Sequence, residues 1–252
     1  MEGRTAFVTG AGSGLGRAIA TRLAAGGCRV AVTDLDGDRA TKVAGEIGSD
    51  SLALECDVSV PSSVEAAADA TVERFGGIDC LVNNAGFDIP GFFLASDPGT
   101  WDRLIAVNLM GVLNCTYSIA PRVIERCSET GYGRIINIAS DAGRVGSLGE
   151  AVYSAAKGGV IAFTKSMARE LARDRITVNA VCPGPADTPM VEQIRETEFG
   201  EKLMSRMIEA TPLKRLARPD EVAAAVAYFA GDDARFVTAQ VLSLSGGLTI
   251  PA

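Results

Sequence analysis

There is no histidine anywhere in the 252 residues. That absence removes the Ser-His-Asp and Cys-His nucleophile systems and every His-containing zinc site. No metal is expected, and acid–base work falls to Tyr, Lys, Asp, Glu or Cys. Cys-x-x-Cys pairs are missing too: Cys28, Cys56, Cys80, Cys115, Cys127 and Cys182 lie far apart. They read as buried thiols of a reducing compartment and not as a disulfide framework. No basic run exists, and the net charge is −7. Nucleic acid and anionic membrane are therefore poor partners, since both require clustered cations. The opening "MEGRTAFVTG" lacks the apolar core of a signal peptide. The longest uncharged run, between Arg103 and Arg122, carries Asn108, Asn114, Thr116, Tyr117 and Ser118. These are costly in lipid, so a buried core helix is expected there, in a cytoplasmic protein.

What the chain does contain is strand–helix alternation from end to end. With 47% hydrophobic and 22% charged residues, it has the make-up of one globular domain, 1–252, with a sizeable core. Nearly continuous apolar runs at 5–10, 29–34, 51–57, 79–84, 134–140, 176–181 and 240–245 read as parallel strands covered on both faces. Segments 14–25, 37–47, 61–75, 100–127, 151–173 and 219–230 read as helices, with Pro61 and Pro219 in first-turn positions. This order predicts an α/β fold: a doubly wound parallel sheet, helices on both faces, and a ligand site at the carboxyl ends of the strands. Segment 185–212 breaks the rhythm, and 187–210 is expected to form a lid over the substrate.

After the first strand comes "TGAGSGLGRAIA". Gly10, Gly14 and Gly16 allow a tight turn and a close approach of backbone to a pyrophosphate at the next helix N-terminus. The second strand ends in "VTDLD". A carboxylate at Asp34 would accept hydrogen bonds from ribose hydroxyls and repel a 2′-phosphate, and neither Ser13 nor Leu35 supplies the cation that such a phosphate wants. NAD is expected over NADP. The plainer alternative is that Asp34 only caps the following helix.

"YSAAK" places Tyr153 and Lys157 four positions apart, on one side of a helix. A free phenol titrates at about 10, too high for a base at neutral pH. An ammonium one turn away is expected to favour the phenolate.

The glycine spacing, "NNAG" at 83–86, "YSAAK" and "PGPADT" at 183–188 together resemble the short-chain dehydrogenase/reductase family, in order and over essentially the whole chain. The resemblance implies a Rossmann-type fold of seven parallel strands, nicotinamide-dependent hydride transfer and a homotetramer. It places Gly10, Ser13, Gly14, Leu15 and Gly16 at the pyrophosphate, Asp34 and Leu35 at the ribose, and Asp57 with Val58 at the adenine. Asn83, Ala85 and Gly86 would line the nucleotide channel. Tyr153 and Lys157 would contact the nicotinamide ribose, with Pro183, Gly184, Ala186 and Thr188 around the carboxamide. The implied catalytic set is Asn108, Ser140, Tyr153 and Lys157. In it the serine bonds the substrate oxygen, and the asparagine distorts its helix and holds a relay water.

Three stretches, "NNAGFDIPGFF", "IASDAGRVGSLGEAVYSAAKGG" and "CPGPADT", resemble dehydrogenases of cyclic β-hydroxyacyl thioesters. They imply NAD-linked oxidation of a substrate such as 2-hydroxycyclohexanecarboxyl-CoA to the ketone. The alternatives are an aryl or alicyclic secondary alcohol without CoA, a 3-oxoacyl-thioester reductase, or a catalytically silent nucleotide-binding subunit. Candidate substrate contacts are Phe87, Phe92, Arg144, Glu150, Met190, Val191 and Ile194. Arg144 is the choice for a carrier arm, unless it pairs with Glu150 or Asp141.

Overall fold

Along the first strand, β1 (Thr5–Thr9), Ala6 and Val8 enter the core on one face of the sheet and Phe7 the core on the other. That alternation is the period of an extended chain, and the absence of a polar side suits a strand covered twice. The computed structural model describes residues 1–48 and 50–250; Ser49, Pro251 and Ala252 of the expected domain lie outside the described residues. The other strands are β2 (Arg29–Asp34), β3 (Ser51–Glu55), β4 (Cys80–Asn83), β5 (Arg134–Ile138), β6 (Thr177–Pro183) and β7 (Val241–Leu244). They form one parallel sheet of order β3-β2-β1-β4-β5-β6-β7. This is the doubly wound Rossmann-type arrangement, with the strand order reversing between β1 and β4.

The helices are α1 (Gly14–Ala25), α2 (Gly37–Ile47), α3 (Pro61–Phe75), α4 (Trp101–Ile105), α5 (Gly111–Thr130), α6 (Ala142–Val145), α7 (Ala151–Glu170), α8 (Pro189–Arg195), α9 (Glu198–Ala210) and α10 (Pro219–Ala230). Ile19 and Leu23 of α1, Val43 of α2, and Val222, Val226 and Phe229 of α10 cover one face. Val64 of α3, Ile119 and Val123 of α5, and Ala168 of α7 cover the other. Burying each large apolar side chain of this kind contributes roughly 1.5–3 kcal/mol.

Local chemistry sets the helix ends. Pro61 opens α3 and left-handed Gly76 closes it. The Glu221 carboxylate accepts the Arg218 N–H at 2.8 Å to open α10. The helical stretch Pro98–Thr130 is long and apolar enough to cross a membrane, but half of its most apolar window is buried inside the fold. Between α4 and α5 it widens into a π turn at Ala106–Met110. Helices α8 and α9 fill most of the excursion 185–212, and Val191, Ile194, Leu203 and Met204 form a small core of their own.

Candidate active site

The carboxyl ends of the strands open into one cleft of about 1030 Å³, the place and size expected of a ligand site in a doubly wound sheet. Its floor at one end is the glycine turn. Gly10 and Gly14 adopt φ of 60° and 51°, and a Cβ on Gly16 would stand 2.0 Å from the Gly10 carbonyl oxygen. No side chain fits there. The turn leads into α1, whose first turn carries no acidic residue, so its free N–H groups suit an anion. Asp34 ends β2 and accepts the Gly12 N–H at 2.8 Å and the Asp36 N–H at 3.1 Å. It stiffens the turn and also lines the cleft. Its capping role is excluded, because Asp36 caps α2. Ser13, Leu15, Leu35, Asp57, Val58, Ala85, Gly86, Pro183, Gly184, Ala186 and Thr188 line the same cleft. A dinucleotide fits this chain of donors, glycines and a terminal carboxylate.

Two corrections concern that end. Asn83 does not line the cleft: it is buried in β4, and its amide donates to Thr116 Oγ1 at 3.2 Å and Asn137 Oδ1 at 2.8 Å. The side chain points into the sheet's polar seam, so the neighbouring Asn84 takes the cleft position. Arg39 is the second: it lines the cleft beside Asp34 and pairs with Asp36 at 3.1 Å. A cation therefore does reach the adenosine end, supplied by the first turn of α2.

At the other end, three elements bring the catalytic set together. Tyr153 and Lys157 lie on α7, Ser140 follows β5, and Asn108 sits in the π turn. Lys157 is buried and donates from Nζ to the Ile138 carbonyl at 2.9 Å. The Asn108 amide donates to the Phe87 and Leu104 carbonyls at 2.8 and 3.0 Å, while its buried Oδ1 has no protein donor. A Cβ on Gly86 would stand 2.7 Å from that oxygen and 3.3 Å from Lys157 Nζ. Glycine keeps this space open between the amide and the ammonium.

The electrostatics differ from the simple expectation for the Tyr153–Lys157 pair. Burial brings Lys157 down to about 8, against the pull of Cys182 and Asp88. Tyr153 is pushed well above its ordinary value by burial first, then by the charges of Asp88 and Glu150, while hydrogen bonding with Ser140 works the other way. In the free protein the phenol is held as an acid.

The substrate contacts divide. Phe87, Glu150, Met190, Val191 and Ile194 line the cleft, joined by Leu203, Met204 and Met207 from α9. Phe92 does not line it: its ring packs edge-on against Phe199 with centroids 5.1 Å apart. Arg144 is also turned away. Its guanidinium donates to the Val241 carbonyl at 2.9 Å and Ser243 Oγ at 3.0 Å, which ties α6 to β7. It forms no ion pair with Glu150 or Asp141 among the described residues. Besides Lys157, Arg103 and Arg206 bring cations to the cleft wall at this end.

The family model described as "Enoyl-(Acyl carrier protein) reductase" matches residues 10–249. Nodulation protein G of Azospirillum brasilense is 42% identical over 252 residues, covering 98% of this chain and 99% of that protein. The solved 3-ketoacyl-(acyl-carrier-protein) reductase from Brucella melitensis, complexed with NADH, has a TM-score of 0.91 at 36% identity, with 99% of each chain covered. An actinorhodin polyketide ketoreductase variant solved with NADPH has a TM-score of 0.90 at 40% identity, with 97% of each chain covered. A likeness that runs the length of the chain, on a fold that sets a tyrosine and a lysine beside a dinucleotide-sized cleft, makes this protein a member of the short-chain dehydrogenase/reductase family of oxidoreductases.

Proposed function

We propose that the protein interconverts a ketone and a secondary alcohol with NAD(H), and that its substrate class is a β-oxoacyl or β-hydroxyacyl thioester. The observation that carries this reading is that Tyr153, Ser140 and Lys157 line the cleft that the glycine turn and Asp34 also line, with Asn108 Oδ1 buried beside Gly86. A nicotinamide supplies or accepts the hydride when bound. The chain's own residues do the rest. In the reductive direction Ser140 orients the carbonyl oxygen. The Tyr153 O–H bond then breaks and its proton passes to that oxygen, leaving a phenolate. Lys157 stabilises the phenolate, and the open space at Gly86 gives its ammonium a route past Asn108 Oδ1 for reprotonation. Oxidation runs the same proton step backwards.

Asp34 supports NAD(H), since a carboxylate at that place accepts ribose hydroxyls and repels a 2′-phosphate. The relatives described as ketoacyl reductases support the β-oxoacyl class. Within that class a cyclic acyl group, as in 2-hydroxycyclohexanecarboxyl-CoA, rests on the three sequence stretches and on an apolar roof of Met190, Val191 and Ile194 over Phe87. With Arg144 committed to β7, a carrier arm has Arg103 and Arg206 to meet. The protein is proposed to work in the cytoplasm as a homotetramer: Met110 and Tyr117 stay exposed on the long helix, the face expected to pair. A light-scattering mass of one chain at micromolar concentration overturns that assembly.

The test of function is steady-state kinetics with matched CoA thioesters and free acids, linear and cyclic, with NADH and NADPH. Thioester turnover with NADH supports the reading. Turnover of thioester-free alcohols alone, or NADPH alone, contradicts it.

A further inference from the structure

Two carboxylic acids flank the catalytic phenol, and the proton-transfer step described above does not use them. Asp88 lies just after "NNAG" and Glu150 just before α7. Both line the main cleft and a second cavity of about 230 Å³ behind it, and Tyr153 lines both as well. The pair therefore stands in the wall between two cavities, next to the reacting group. The two carboxyls share the small second cavity as neighbours, and each bears on the charge of the other. Asp88 Oδ1 accepts the Ile89 N–H at 2.8 Å, whereas Oδ2 is buried with no N–H or O–H donor. Two carboxylates cannot sit together ionised at low cost, and one proton between them satisfies both the charge and the orphaned oxygen. Oδ2 is where that proton belongs.

We propose that Asp88 and Glu150 share a proton and act as positioning residues that hold Tyr153 in its un-ionised form, setting the enzyme for carbonyl reduction at neutral pH. The inference rests on Tyr153 as the proton-transfer group. Reduction needs a phenol that can give its proton to the substrate oxygen, and oxidation needs the phenolate. Negative charge beside the ring favours the first. The overall equilibrium is untouched; what moves is the pH at which Tyr153 is in the form each direction requires. Other titratable groups face the same cluster: Lys157 from α7, Asp141 beside Ser140, Arg103 from α4, Asp97 across the second cavity, and the Cys182 thiol of β6, which burial keeps uncharged. Of these, the lysine and the arginine oppose the pair. Asp88 is pushed up to about 8 by burial first and the Glu150 charge second, so the pair gains a second negative charge as pH passes that point. Replacing Glu150 frees Asp88 to ionise earlier, which compensates. Only removing both leaves the phenol without negative neighbours in this wall.

The experiment compares full-length wild type with Asp88→Asn, Glu150→Gln and the double variant. Tyrosinate absorbance in the near ultraviolet is titrated without nucleotide, with each trace corrected by the same protein carrying Tyr153→Phe. The pH profiles of kcat/KM are measured in both directions. The expected result is graded: the Tyr153 midpoint falls in the single variants, and by at least about one pH unit in the double. The ionised fraction then rises about tenfold at a given pH. Oxidation gains its activity at correspondingly lower pH, and reduction loses its activity there too. A double variant with wild-type near-ultraviolet circular dichroism and an unmoved midpoint overturns the role of the pair. If Tyr153→Phe itself retains activity, the underlying reading of Tyr153 fails instead, and the two failures are told apart.

Discussion

The Lys157 ammonium lies 5.7 Å from the centroid of the Tyr153 ring and spends one hydrogen bond on the Ile138 carbonyl at 2.9 Å. It is a cation fixed near the base of the phenol, in a dry place where its charge is costly to keep.

Lys157→Met removes that cation while filling the same space. The expected outcome is a fall in kcat of at least about a hundredfold, the scale of a lost acid–base system. NADH binding measured by fluorescence should weaken in parallel, because the same ammonium is proposed to serve the nicotinamide ribose. Full activity with unchanged NADH affinity contradicts the placement.

Asp34→Ala removes the carboxylate that accepts the Gly12 and Asp36 N–H groups. Affinity for NAD should drop by about one to two decades, the effect of roughly 1.5–3 kcal/mol from a charged hydrogen-bonding group. Preference over NADP should narrow, helped by Arg39, which then stands at that end with less competition from acid. A wild type that already uses both nucleotides equally refutes this role.

Asp88 also leaves a mark on stability. Burial, then Glu150, raises it from 3.8 to about 8. Between those values the folded protein keeps a proton that the unfolded chain gives up. Stability therefore falls as pH rises from about 4 to about 8 and levels off beyond. Asp88→Asn keeps a donor toward Glu150 and does not titrate. Its melting temperature should exceed that of wild type near pH 8 by a few degrees, at roughly 2–4 °C per kcal/mol for a chain of this size. The two should converge near pH 4. A variant less stable than wild type at both ends contradicts the shared proton.

Much of this was legible in the sequence, and the misses have physical causes. The bounds of α1, α2, α3 and α10 follow from glycine, proline and acidic signals that act within a turn. Strand ends read too long at 57, 84 and 140 because the residues after each strand leave the ladder to line the cleft, as Asp57, Asn84 and Ser140 do. Asn83 was misplaced by one step of that same pleat. The i, i+4 pair of Tyr153 and Lys157 was visible, but the charge that governs the phenol comes partly from Asp88, brought in by a distant loop. Arg144 was read against its chain neighbours, whereas its partner Val241 is 97 residues away. Segment 187–210 reads from the sequence as one lid with apolar residues at helical spacing; its division into α8 and α9 is not legible, because the core of Val191, Ile194, Leu203 and Met204 exists only once the two pack together.

The measurement that bears most directly on the account is the single-turnover rate of Tyr153→Phe with NADH and a β-oxoacyl thioester. The substitution deletes one oxygen and leaves the ring, Lys157 and the glycine turn in place. The account predicts a rate at least about a hundredfold below wild type, with NADH affinity little changed. A rate near that of wild type contradicts it.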